Sequence, residues 1–158
     1  MKTLVIGLGN PILGDDGVGW RVAEEIALQT AGSPQVEVDC VSLGGLSLME
    51  RLTDSERVVL IDSLFTGEKP VGTVSQFTLA DLPDLTAGHS ASAHDTSLRN
   101  ALNVGRSMGI ALPEDGNVII VAIEAENVYD FSQELSPAVA ASVPQAVKAV
   151  MELLAGQN

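Results

Sequence analysis

The chain has 158 residues, 46% of them apolar, and a formal net charge of −13 from 21 acidic against eight basic side chains. With a mean hydropathy of +0.26 it is too apolar for a disordered chain, and its length suits one domain spanning residues 1–158. The acidic balance and the absence of a basic cluster argue against nucleic acid as a partner, because that affinity rests on neutralising phosphates.

One cysteine, Cys40, leaves room for neither an internal disulfide nor a cysteine-cluster metal site, so the cytoplasm is the expected compartment. The longest apolar runs, such as 118–123, fall far short of the ~20 residues that a membrane helix needs. Residues 1–3 lead straight into a strand. Neither a signal peptide nor a membrane span or membrane partner is expected.

The predicted elements run strand 2–8, helix 17–30, strand 36–41, short helix 46–53, strand 57–62 and strand 72–78. Helix 95–108, strand 117–123 and a helical region 137–154 follow. Leu4, Val5 and Ile6 end at Gly7-Leu8-Gly9, which reads as a buried strand entering a tight loop; Val18, Val22 and Ile26 then mark a helix face. Residues 58–61 and 118–121 are uniformly apolar, as strands buried on both faces are. Val74, Phe77 and Leu79 mix with the polar Thr73, Ser75 and Gln76, which suits a half-exposed edge strand. Pro137 after Ser136 reads as a helix start, and Pro144 should kink or restart that helix. Alternating strands and helices predict an α/β domain: a mostly parallel sheet in three layers, covered on both sides.

Asp15 and Asp16 fall in the loop after the first strand, at the carboxyl edge where open α/β sheets build their sites. An adjacent carboxylate pair there costs repulsion unless a cation, a proton or water compensates it. The plainer reading is a solvated turn with Asp15 as a helix N-cap. Gly7-x-Gly9 lacks the third glycine of a dinucleotide fingerprint, and no Lys-Ser/Thr follows to complete a phosphate loop. Asp62, directly after the apolar run 58–61, should emerge at the same edge, or else cap the turn Asp62-Ser63 by bonding its own backbone. His94 sits at a helix entry and His89 in the looser loop before it. Two carboxylates and one imidazole suit a borderline divalent ion such as nickel, cobalt, zinc or manganese. Cys40 reads as a small buried apolar residue. With no nucleophile motif present, water is the expected nucleophile.

These residues resemble the nickel–iron hydrogenase maturation endopeptidases. The likeness lies in Gly7-Leu8-Gly9-Asn10, Asp15-Asp16-Gly17-Val18-Gly19, an aspartate after the third strand, His94-x-x-x-Leu98, the apolar strand 118–123 and Leu135-Ser136-Pro137-x-Val139. It covers nearly the whole chain. The resemblance implies a five-stranded sheet between helices (a phosphorylase/hydrolase-like fold) and removal of a C-terminal extension from the hydrogenase large-subunit precursor after nickel insertion. It also implies Asp16, Asp62 and His94 as both metal-binding and catalytic residues. The nickel would be mainly that carried by the substrate, with no organic cofactor. Where many relatives have an Asp-Gly-Gly-Thr-like segment, this chain has Cys40 to Gly45, which bears on which hydrogenase is served.

Other readings use the same residues differently. A non-catalytic metal-binding assembly chaperone could employ all three. Gly-Leu-Gly-Asn-Pro also opens peptidyl-tRNA hydrolases, which continue differently and need a basic surface for tRNA. Whether the metal or a carboxylate activates the water stays open. Residues 83–94 offer little apolar surface, so this segment is expected to be mobile and to order when substrate docks.

Overall fold

A computed structural model describes residues 2–42, 44–82 and 93–156; the side chains of residues 93–97 are outside the description. Strands Thr3–Leu8 (β1), Val36–Val41 (β2), Arg57–Leu64 (β3), Val74–Thr78 (β4) and Val118–Glu124 (β5) form one sheet in the order β2-β1-β3-β5-β4. β1 pairs with β2 and β3 in parallel, and β3 with β5 likewise; β4 alone runs antiparallel, on β5. Four helices cover the sheet: Val18–Gln29 (α1), Gly45–Arg51 (α2), Ala93–Ser107 (α3) and Pro137–Ala155 (α4). The expected mostly parallel α/β sheet between helices is therefore present. Half-exposed β4 occupies the predicted edge.

Alternation along the strands divides the core into two layers. Leu4, Ile6 and Leu8 of β1, with Leu60 of β3 and Ile120 of β5, pack against Leu48 of α2, Leu52 just after it, and Leu98 and Leu102 of α3. Val5, Val59, Ile61 and Val121 face the other way, onto Val22 and Ile26 of α1 and Val147 and Val150 of α4. α1 lies unusually close to the sheet. A Cβ on Gly19 would stand 2.3 Å from the Ile61 carbonyl oxygen and 2.5 Å from that of Leu8, so only glycine permits this approach.

α4 departs from expectation in two ways. Of the two expected effects of Pro144, the restart does not occur, since the helix runs unbroken through it; buried Val139 on one side of the proline, and Ala146, Val147 and Val150 on the other, hold both halves on the same core. α4 is also, among the described residues, the one helix long and apolar enough by composition to cross a membrane. A search for continuous apolar runs misses this because Gln145, Lys148 and Glu152 interrupt it. In the fold that apolar character serves packing against α1 and the sheet.

Candidate active site at the carboxyl edge of the sheet

The parallel register places the first site residues side by side. Gly7 of β1 lies opposite Ile61 of β3, so Asp62 comes one step further, level with the end of β1. Asp62 is buried, and β3 continues past it to Leu64 instead of ending at 62. Its Oδ1 accepts the Ser63 N–H at 2.8 Å. That is the local bond anticipated for a turn, made here within a strand.

Asp16 occupies a 3-10 turn, Gly14–Gly17, between β1 and α1. Its Oδ2 accepts the Asn10 N–H at 2.8 Å, and its Oδ1 accepts the Ser63 hydroxyl at 3.1 Å. The turn folds so tightly that a Cβ on Gly9, where φ is +130°, would lie 1.9 Å from the Asp16 carbonyl oxygen. Gly9 is thus a condition for Asp16 reaching over β3. Asp16 and the Asp62–Ser63 step meet at the carboxyl edge of β1 and β3.

Asp15 does something else. It is fully buried and turned away, toward the segment between β5 and α4. Its carboxylate accepts the N–H groups of Glu126 (3.1 Å), Asn127 (3.0 Å) and Ser136 (2.6 Å) and the Ser136 hydroxyl (2.8 Å). Burial pushes its pKa up, but donation from Ser136, Asn127 and Glu126 outweighs this and holds the carboxyl below its ordinary value. The readings of Asp15 as half of a repelling pair, or as a solvated helix cap, are both corrected: neighbours in sequence, Asp15 and Asp16 bond to different parts of the fold, and no side-chain cap is made at this turn.

Sequence reasoning missed two further edge residues. Ser63 supplies the hydroxyl that bridges β3 to Asp16. Glu124, buried at the end of β5, accepts the Thr66 N–H (2.9 Å), the Thr66 hydroxyl (2.6 Å) and the Gly67 N–H (3.3 Å), and so fastens the chain leaving β3. A strand read as ending at 123 gave no sign of it.

α3 begins at Ala93, which puts His94 in its first turn. The His94 side chain, His89 and the segment 83–92 lie outside the described residues. Among the described residues no three His, Cys, Asp or Glu side chains are grouped to hold a metal. Cys40 is half-buried, and its thiol is pushed up to about 11 by burial and by the charges of Glu24 and Asp39. A thiol that stays protonated is a poor nucleophile.

Comparison with known proteins gives this edge its context. The fold is similar to the hydrogenase maturating endopeptidase HybD from Escherichia coli, with a TM-score of 0.72 at 22% identity over 98% of this chain and 92% of the other. It is also similar to a hydrogenase 2 maturation peptidase from Thaumarchaeota archaeon SCGC_AB-539-E09, with a TM-score of 0.66 at 29% identity over 98% and 99% of the two chains. The hydrogenase expression/formation protein HupD of Rhodobacter capsulatus is 27% identical over 98% of this chain and 72% of its own length. The family profile HycI, hydrogenase maturation protease, matches residues 20–153, a stretch that includes Asp62 and His94 and begins after Asp16. The chain belongs to the hydrogenase maturation protease family. It is accordingly a hydrolase, an endopeptidase of hydrogenase maturation.

Proposed function

We propose that residues 1–158 act as one maturation-protease unit in the cytoplasm. The unit removes the C-terminal extension of a nickel–iron hydrogenase large-subunit precursor after nickel has been inserted. The observation that carries this reading is the meeting of Asp16 with the Asp62–Ser63 step at one sheet edge, through the 3.1 Å bond from Ser63 to Asp16.

Asp16, Asp62 and His94 are the proposed contacts to the nickel that the precursor brings. The donor types suit the ion: carboxylate oxygens and an imidazole nitrogen bind borderline divalent metals that retain open positions. Asp16 is held by two hydrogen bonds, and a carboxylate has about four acceptor sites, so it can take a further partner without giving up its anchors. Recognition of substrate-borne nickel would fix the scissile peptide against the same carboxylates, and proximity would supply much of the rate. Water is the nucleophile in this reading, because the sequence carries no nucleophile motif, and the Cys40 thiol, raised to about 11, is a poor alternative. The cytoplasmic assignment rests on the single cysteine.

The test is incubation with nickel-loaded large-subunit precursor, read by mass spectrometry. Loss of a C-terminal fragment from the precursor is the expected result. Tight binding without cleavage would identify a metal-dependent assembly chaperone instead.

A further inference from the structure

The chain has three Phe, one Tyr and one Trp, and Phe65, Tyr129 and Phe131 all stand exposed around the carboxyl edge. Phe131 is 85% exposed, Tyr129 77%, Phe65 55% and nearby Ile12 45%. Phe65 and Tyr129 meet edge to face, with ring centroids 5.7 Å apart. A parallel bridge between Leu13 and Ser132 sets Ile12 alongside Phe131, and the Ser132 N–H donates to the Ile12 carbonyl at 2.9 Å. Two of these four side chains thus come from the segments that build the site, and two from the segment fastened beside them by Asp15. Ile12 precedes Asp16 in the β1–α1 loop, Phe65 follows Asp62 out of β3, and Tyr129 and Phe131 lie on the segment that Asp15 holds. Aromatic side chains left in water beside a site are the usual anchors of a protein partner.

The same segment is acidic: Glu126, Asp130 and Glu134 are exposed between and beside the aromatics. Arg21 reaches this region, where it bonds the Gln133 carbonyl. We propose that Ile12, Phe65, Tyr129 and Phe131 form the docking surface for an extended segment of the precursor flanking its cleavage point, one that carries apolar side chains and Lys or Arg. This rests on the protease reading above and adds what the protein recognises besides metal. Apolar side chains would cover the rings while their basic neighbours meet the three carboxylates, which also speeds encounter.

The experiment measures binding of nickel-loaded precursor to the intact protein by calorimetry, separately from cleavage. Tyr129→Ser combined with Phe131→Ser should weaken binding by about tenfold or more with an unchanged melting temperature, because both rings are exposed. Asp130→Asn with Glu134→Gln should weaken it less and flatten its salt dependence. Leu28→Ser, on an exposed position at the far end of α1, serves as a control with wild-type affinity. Undiminished affinity in the aromatic variant overturns the proposal. So does a shift from dimer to monomer with affinity retained, which would make the patch a self-association surface. If wild type binds the precursor through these rings but does not cleave it, the protease reading falls and the docking surface stands; if wild type does not bind at all, both fall.

Discussion

Ser63 and Asp16 stand 47 positions apart in the chain, and the Ser63 hydroxyl donates to Asp16 Oδ1 at 3.1 Å. That bond is the point where the strand carrying Asp62 and the loop carrying Asp16 touch. It exists because β1 and β3 are direct parallel neighbours in register and because two glycines let the loop and α1 lie flat on them.

Asp16→Asn and Asp62→Asn should each abolish precursor processing. An amide keeps the shape of the carboxylate but loses its charge and most of its affinity for a metal. Both variants should melt within about 3 °C of wild type, corresponding to roughly 1 kcal/mol for a chain of this size. Wild-type processing in either variant would contradict the site assignment.

The adjacent Asp15→Ala should behave in the opposite sense. It strands the donors of Glu126, Asn127 and Ser136, with an expected loss of ~3 kcal/mol. That is a fall of roughly 6–12 °C in melting temperature. Thermal unfolding followed by circular dichroism checks it; a variant as stable as wild type would remove Asp15 from its structural role.

The depressed pKa of Asp15 fixes the sign of a pH effect. Its folded-state value lies below 3.8, so its contribution is complete above the unfolded pKa and is lost as pH falls through the folded one. The stability gap between wild type and Asp15→Asn should therefore be level from about pH 7 to pH 5 and narrow below about pH 4. Urea unfolding at a series of pH values measures it, and a gap that widens on acidification would be the wrong sign.

Gly19→Ala should destabilise by ~1–3 kcal/mol, the range for overpacking a tight contact. The added methyl meets two backbone carbonyls, which cannot rotate away as a side chain could. Because α1 must then lift from the sheet, processing should fall together with the melting temperature. Retention of both would show that the helix has room to move.

Cys40 offers a negative control for nucleophilic chemistry. With its thiol at about 11, iodoacetamide labelling at neutral pH should be slow and should accelerate only in strongly alkaline buffer. Cys40→Ala should process precursor at the wild-type rate. Rapid labelling near neutrality, or an inactive Cys40→Ala protein with a native melting temperature, would reopen the question of the nucleophile.

The sheet and helices were legible in the sequence because each is announced locally: uniform apolar runs for β3 and β5, a helical stripe at Val18, Val22 and Ile26, a mixture of apolar and polar residues in β4. The nearness of Asp16 and Asp62 to the carboxyl edge was legible because one lies in the loop after β1 and the other two residues before the end of β3. The division of labour between Asp15 and Asp16 was not. Nothing local separates two adjacent aspartates, and the partners of Asp15 come from 111 to 121 positions away. Glu124 was hidden likewise, its donors lying on the turn after β3. Pro144 shows the converse for the expected restart, which packing on both sides of it overrides.

The Asp15 carboxylate takes hold of the chain at Glu126 and Asn127 and again at Ser136. The residues between, 128–135, are therefore a closed span with both feet on one buried anion. The span is also tied to the β1–α1 loop in its middle, where the Ser132 N–H donates to the Ile12 carbonyl and the Ser132 carbonyl accepts the Gly14 N–H. Residues 128–135 and residues 12–14 therefore form two joined strips that move as one. If the docking surface proposed above holds, redirecting this chain to another precursor requires changing both strips together, while Asp16 and Asp62 stay as they are.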